Sequence, residues 1–323
     1  MSGVAFLFPG QLSEFVGMGR DLFESGSEAR TLFEETSRRC GLDLQRIVFS
    51  GPENELHENL AAQAGVYCVS TLAARQLVRE GVEPAATAGY SLGNYAAMVA
   101  AGAMSYEDGL EVLVAVWRET EGLGIRGAMG AVVGVRREAV DDVCESLRLR
   151  GKPVWIGNVN ANTQFVLTGR ADAVAEALET LKPRCLSVLP LTMNWPIHSA
   201  LMQPVAEAIA PVVAACRSVR ALRVPFYGPD GRVARSAEDV RRLLATEFVH
   251  PTLWNATFEA MVKDGFKSFL EVGPGEMLTK MTRWIDRSVA CRPAGSLPAI
   301  RAAADIMRAS PDYSRTPGRD TET

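Results

Sequence analysis

Residues 88–95 read Ala-Gly-Tyr-Ser-Leu-Gly-Asn-Tyr, which sets Ser91 between Gly89 and Gly93. A G-x-S-x-G run at a strand-to-helix turn is a nucleophile elbow. Its two glycines let the backbone bend tightly and leave the serine Oγ exposed. A helix starting at Leu92 directs free N–H groups and its positive dipole end at that oxygen, where an alkoxide or a tetrahedral oxyanion would be stabilised. A serine so placed attacks an acyl carbonyl, provided a base takes its proton. The sequence holds three histidines. His57 lies in the charged helical stretch 53–59 and reads as solvated surface. His250 precedes Pro251 at a helix end, where its ring would cap carbonyls. His198 follows Asn194-Trp195-Pro196-Ile197 at the exit of a small insert, where two lobes would form a cleft. There it reads either as a hinge residue bonded to backbone or as the base.

The elbow needs a strand before it and a helix after it. The apolar stretch 84–88 supplies the strand and the alanine-rich stretch 95–101 the helix. Val4-Ala5-Phe6-Leu7-Phe8 predicts a second buried strand, closed by Pro9-Gly10. Helical patterns cover 30–40, 65–79 and 106–118. The texture changes at Gly127, after which strands at 127–135, 154–157, 164–168 and 186–191 alternate with helices at 137–147 and 171–181. That βαββαβ order predicts a ferredoxin-like insert. Helices at 199–216, 237–248, 253–263 and 276–285, and strands near 224–227 and 269–272, return to the larger unit. The expected fold is therefore α/β. An α/β-hydrolase-like large domain takes 1–126 and 196–300, a ferredoxin-like small domain takes 127–195, and the tail 301–323, polar from about Ala309, reads as disordered.

The 323 residues are 47% hydrophobic, enough for a sizeable core, and the net charge of -4 argues against nonspecific binding to nucleic acid or anionic membrane. The sequence has no apolar run long enough to span a membrane, and it enters its first strand directly, with no signal-peptide pattern. The six cysteines are scattered without a C-x-x-C pair and read as buried thiols of a reducing cytoplasm. With so few histidines, no metal site is expected.

Phe8-Pro9-Gly10-Gln11, Gly89-x-Ser91-x-Gly93, Pro196-Ile197-His198-Ser199-Ala200-Leu201-Met202 and Glu271-Val272-Gly273-Pro274-Gly275 occur in this order. In order and spacing they resemble acyl-carrier-protein S-acyltransferases, the malonyl-CoA:ACP transacylases and the acyltransferases of polyketide synthases. The resemblance runs from Phe6 to about Ile285. It implies a ping-pong mechanism in which Ser91 attacks a thioester and His198 is general base, then general acid to the leaving thiol. It implies an oxyanion hole from the backbone N–H groups of Gln11 and Leu92. It places Glu247 where the family has a glutamine whose backbone carbonyl orients the histidine. Gln63, Tyr90, Val116, Asn160, Trp195 and Ile197 are expected to border the acyl pocket. No bound cofactor is implied. The expected partners are an acyl thioester and an acyl carrier protein, served by a monomer.

The sequence departs from the family at several of these points. Malonyl-using members carry an arginine 25 residues after the nucleophile, a fork for the free carboxylate; here that residue is Val116. Arg118 is close, but two residues along a helix is roughly 200° of rotation. Tyr90 replaces a histidine, Asn94 a glutamate and Leu12 a glycine, and Ile197 stands where serine or phenylalanine is common. These changes favour a specialised transferase for a non-carboxylated acyl group in a polyketide pathway. The alternatives are a malonyl-CoA:ACP transacylase clamped by Arg118, an acyl-ACP hydrolase sharing the Ser-His core, and a non-enzymatic docking subunit. Basic groups that suit an acidic carrier protein are Arg148, Arg150 and Lys152, and the same-face set Lys280, Arg283 and Arg287.

Overall fold

The structure is a computed structural model and describes residues 3–309. Ten strands form two sheets. They are β1 (Val4–Phe8), β2 (Pro84–Gly89), β3 (Ala128–Val133), β4 (Val154–Ala161), β5 (Gln164–Gly169), β6 (Ser187–Pro190), β7 (Phe226–Tyr227), β8 (Val233–Ala234), β9 (Ser268–Glu271) and β10 (Ala290–Pro293). The larger sheet has the order β10-β9-β1-β2-β7-β8, parallel except where β8 returns beside β7. All five residues of β1 are fully buried, which suits a central parallel strand covered on both faces. Helices such as Asn59–Arg79 and Tyr106–Gly122 cover the sheet, and their apolar sides make one continuous core with β1.

The smaller sheet has the order β4-β5-β3-β6 and is antiparallel throughout. The helices Arg137–Leu149 and Ala171–Leu181 pack on it through Val140, Val143, Leu147, Val174, Ala177 and Leu181, a core separate from the large one. This is the ferredoxin-like arrangement beside an α/β-hydrolase-like sheet. A backbone bridge ties β4 of the smaller sheet to the loop at Thr252, which precedes the helix Trp254–Lys263 of the larger unit. Val159 N–H donates to the Thr252 carbonyl at 2.9 Å, and Thr252 N–H donates to the Gly157 carbonyl at 2.8 Å.

Two differences from expectation concern β4 and the tail, besides the strands β8 and β10, which were not expected. The strand expected at 154–157 continues through Ala161, with register breaks at Ile156/Asn158 and Val159/Ala161, so Asn158 and Asn160 lie within a strand. The second concerns the tail, because the helix Leu297–Ala309 occupies residues expected to be disordered from 301 onward. Ile300, Ala303, Ala304 and Met307 recur at helical spacing and are buried, and the helix packs on Asn59–Arg79. Arg308 donates to the Glu80 carbonyl at 2.8 Å. The rest of the expected tail, 310–323, lies outside the described residues.

Among the described residues no helix is long and apolar enough to cross a membrane. Among the same residues no group of three or more His, Cys, Asp or Glu side chains is placed to hold a metal ion.

Candidate active site

The elbow is built by close backbone approach. Tyr90 N–H donates to the Phe8 carbonyl at 2.9 Å, tying the turn to the end of β1. A Cβ at Gly93 would lie 2.1 Å from the Phe8 carbonyl oxygen, and one at Gly89 would lie 2.1 Å from Asn94 N. Only glycine fits at either point. Ser91 is left in the left-handed region with φ 53°, at the head of the helix Gly93–Ala100.

His198 reaches the serine from the other side. Its Nε2 is 2.7 Å from Ser91 Oγ. Its Nδ1 faces two carbonyls, that of His250 at 2.9 Å and that of Glu247 at 3.2 Å. Carbonyls only accept, so Nδ1 carries the proton and Nε2 presents a lone pair to the serine hydroxyl. Burial drives the imidazole pKa down to about 4, against a smaller upward pull from those two carbonyl contacts. The ring is therefore neutral at pH 7. The His198 backbone sits at φ 65°, and its N–H donates to the Phe248 carbonyl at 2.7 Å.

A side-chain amide relay runs past this pair. Gln63 donates to Gln11 at 3.1 Å, Gln11 to Asn59 at 3.1 Å, and Asn59 to Asn194 at 2.8 Å. It connects the loop after β1 with the linker leaving the small sheet. On that loop Leu12 has φ 74°, and its N–H donates to the Glu14 carboxylate at 2.7 Å. His57 Nδ1 holds the other Glu14 oxygen at 2.9 Å. The expectation of a merely solvated His57 is therefore corrected: its ring braces a buried carboxylate beside the elbow. Among the described residues the backbone N–H groups of Gln11 and Leu92 have no protein acceptor.

A cleft opens at Ser91 and His198. Its apolar wall comes from Leu113 and Val116 of one lobe and from Met129, Val166, Leu191 and Met193 of the other. Tyr90, Ile197 and Gln63 line it, in the places expected for them. No Lys or Arg side chain among the described residues does so. The helix Tyr106–Gly122 is uninterrupted around Val116, and Arg118 is exposed outside the cleft. Glu247 also lines the cleft with its carboxyl, which burial pushes up to about 8, against a smaller downward pull from Asn94.

Two expected pocket residues lie elsewhere. Trp195 is fully buried in the core, and its Nε1–H donates to the Glu121 carboxylate at 3.0 Å, so it braces the linker. Asn160 stands behind the wall and accepts from the Tyr90 hydroxyl at 2.8 Å; Asn158, two residues earlier, lines the cleft. The register breaks in β4 decide which asparagine faces inward. Glu14, Asn59, Tyr95 and Asn194 also serve this site and were not expected from the sequence. Only Asn59 carried a signal there, four residues before Gln63 on one helix face.

The basic clusters fare differently. Arg150 and Lys152 both pair with Glu176, and Arg148 donates to the Val154 carbonyl at 2.8 Å. Arg283 and Arg287 line a shallow groove with Lys280, Arg292 and the exposed Trp284. Lys280 also sits 3.8 Å from Glu276.

On an α/β frame, a serine perched on an elbow against a neutral, carbonyl-held imidazole defines a serine acyl-transfer enzyme. Residues 5–301 match the acyl transferase domain family. The chain belongs to that family, among the acyl-carrier-protein acyltransferases. It is 31% identical over 317 residues to the malonyl CoA-acyl carrier protein transacylase of Bacillus subtilis (strain 168), covering 97% of this chain and 99% of that protein. It is 34% identical over 311 residues to the polyketide biosynthesis protein ThaF of Burkholderia thailandensis, covering 93% of this chain and 26% of that longer protein. A solved complex of a type II polyketide synthase acyl-carrier protein with its malonyl-transacylase contains a chain similar at TM-score 0.89 and 29% identity, covering 94% of this chain and 100% of that one. The malonyl CoA-acyl carrier protein transacylase of Coxiella burnetii is similar at TM-score 0.88 and 29% identity, covering 94% and 97%.

Proposed function

We propose that this acyltransferase moves a non-carboxylated acyl group between a phosphopantetheine thioester and an acyl carrier protein, through an acyl-enzyme on Ser91. His198 Nε2 takes the hydroxyl proton as Oγ attacks the thioester carbonyl. The N–H groups of Gln11 and Leu92 receive the oxyanion. The leaving thiolate takes the proton from His198, and the carrier thiol then repeats these steps in reverse. Every group the steps require belongs to this chain or to its substrates, and we assign it no bound cofactor. A polyketide pathway in the cytoplasm suits this reading and suits the six unbridged thiols. The groove of Arg283, Trp284 and Arg287 is our candidate surface for an acidic carrier protein.

The observation that carries the acyl assignment is the wall itself. Val116 occupies the cleft, Arg118 is exposed away from it, and Glu247 adds a carboxyl. A malonyl carboxylate buried there without a cation would cost about 3–5 kcal/mol. In a transition state that is roughly two to four orders of magnitude in rate.

The test is intact-mass analysis of the protein incubated with malonyl and with medium-chain acyl thioesters, with the adduct mapped to Ser91. Faster loading of the neutral acyl groups is expected. Rapid malonylation that Arg118→Ala abolishes would overturn the assignment. An acyl-enzyme that decays in water as fast as it passes to carrier protein would make the enzyme a hydrolase instead.

A further inference from the structure

Glu247 and Asn94 form a carboxyl–amide pair at the back of the cleft. Asn94 Nδ2 donates to Glu247 Oε2 at 3.1 Å. Glu247 is 5% exposed, and among the described residues its second oxygen, Oε1, has no protein partner. Oε1 is not walled in: Glu247 lines the acyl cleft, whereas Asn94 does not. Glu247, the ionisable member of the pair, stands on the cleft side.

Among the described residues no cation faces that carboxyl. The groups that do are Asn94, the ring of Tyr95 and the apolar side of the cleft, and the nearest base, His198, is turned to Ser91 through Nε2. Burial without a counter-charge keeps the acid protonated at neutral pH. With the Asn94 amide oriented to donate Nδ2 to Oε2, which leaves its own Oδ1 buried without a partner, the proton rests on Oε1. A protonated carboxylic acid fixed in an apolar pocket is a hydrogen-bond donor aimed at whatever enters.

We propose that Glu247 is a specificity-determining residue that donates, through Oε1, to a neutral oxygen on the acyl chain, so that the preferred acyl groups carry a hydroxyl or ketone near the thioester. The substrate supplies the acceptor that the protein leaves out. A plain alkyl chain of equal length leaves that donor without a partner inside the pocket. A site built to bond an oxygen discriminates strongly against the analogue that lacks it.

This inference rests on transfer of a non-carboxylated group as proposed above. The experiment measures second-order Ser91 acylation by butyryl-, 2-hydroxybutyryl-, 3-hydroxybutyryl-, 3-oxobutyryl- and malonyl-pantetheine, with the full chain and the variants Glu247→Leu and Glu247→Gln. The readout is the ratio of each oxygenated group to butyryl within one protein, so a general loss of activity cancels. The wild type is expected to favour at least one oxygenated group by roughly tenfold or more. Glu247→Leu brings that ratio close to one, whereas Glu247→Gln, which can accept from Asn94 and still donate, keeps most of it. Ratios near one for every oxygenated group in the wild type, or an unchanged ratio in Glu247→Leu, would overturn the role of Glu247 while leaving neutral-acyl transfer standing. Malonyl outpacing all the others would overturn the reading beneath it.

Discussion

Ser91 Oγ and His198 Nε2 meet at 2.7 Å while both residues hold a left-handed backbone, φ 53° and 65°. A non-glycine residue in that region costs of order 1–3 kcal/mol and persists only where its surroundings over-determine it. Here the Phe8 carbonyl fixes the elbow through Tyr90 N–H, and the Phe248 carbonyl fixes His198 N–H. Strain is thus stored on both members of one hydrogen bond. Ser91→Gly removes it on one side. That variant is expected to form no acyl-enzyme and to unfold in urea at a higher midpoint than Ser91→Ala, which loses the same hydrogen bond but keeps a Cβ, with a difference of about 1 kcal/mol. A lower midpoint than Ser91→Ala would show that position 91 is unstrained.

The pH dependence follows from the burial of His198. Its pKa in the folded chain is about 4, against 6.5 for a free imidazole. Acylation should therefore stay flat from pH 7 to about pH 5 and fall only below that, as Nε2 gains a proton. A solvated base would already lose rate near pH 6.5. Stability moves in the same direction. The unfolded chain binds this proton more readily, so the contribution is full above about pH 6.5 and is lost as pH falls toward 4, by about 3 kcal/mol. Stopped-flow acylation checks the first statement; the second is read from the difference in urea midpoint between wild type and His198→Gln from pH 8 to 4, because the raised Glu247 carboxyl acts in the opposite direction in both proteins.

Val116 and Arg118 give a substitution test of the cleft. Val116→Arg places a guanidinium in the wall of the cleft that Ser91 also lines. Malonyl loading should rise at least tenfold over wild type, and loading of plain acyl groups should fall as the arginine fills their space. Arg118→Ala should change neither, because that side chain is exposed outside the cleft. Competition between the two thioesters, read by mass on Ser91, decides it. Unchanged malonyl loading in Val116→Arg would count against the clamp argument.

The elbow, the buried β1 and the ferredoxin-like order were legible in the sequence because each rests on a local pattern. Two glycines flank a serine, an apolar run is five residues long, and strands alternate with helices. The helix Leu297–Ala309 has such a pattern too, but its apolar positions are mostly small alanines among charges, and only the groove that receives them shows it is folded. Which asparagine of β4 faces the cleft depended on breaks in strand register, a property of pairing with β5 that the residues alone do not display. Trp195 was misjudged for a related reason. It was expected at the pocket, but Glu121, far away in sequence, draws its indole N–H inward. The amide relay from Gln63 to Asn194 is likewise a product of tertiary contact between four neutral side chains with no motif of their own.

His57 offers the clearest separation between a surface residue and a supporting one. Its ring holds Glu14, whose side chain is fully buried and whose other oxygen accepts from Leu12 N–H at 2.7 Å. Leu12 follows Gln11, whose N–H faces no protein acceptor among the described residues, so the carboxylate pins the strained residue next to a proposed oxyanion donor. Deleting the ring leaves one buried oxygen without its donor, a cost of about 1–3 kcal/mol. His57→Ala should therefore lower the Ser91 acylation rate by roughly tenfold, with little change in the thioester concentration needed for half-saturation, since the ring does not line the cleft. His57→Gln restores a donor and should recover most of the rate. A surface role predicts wild-type rates for both variants. Equal loss in His57→Ala and His57→Gln would mean that ring packing, and not the hydrogen bond to Glu14, holds the loop.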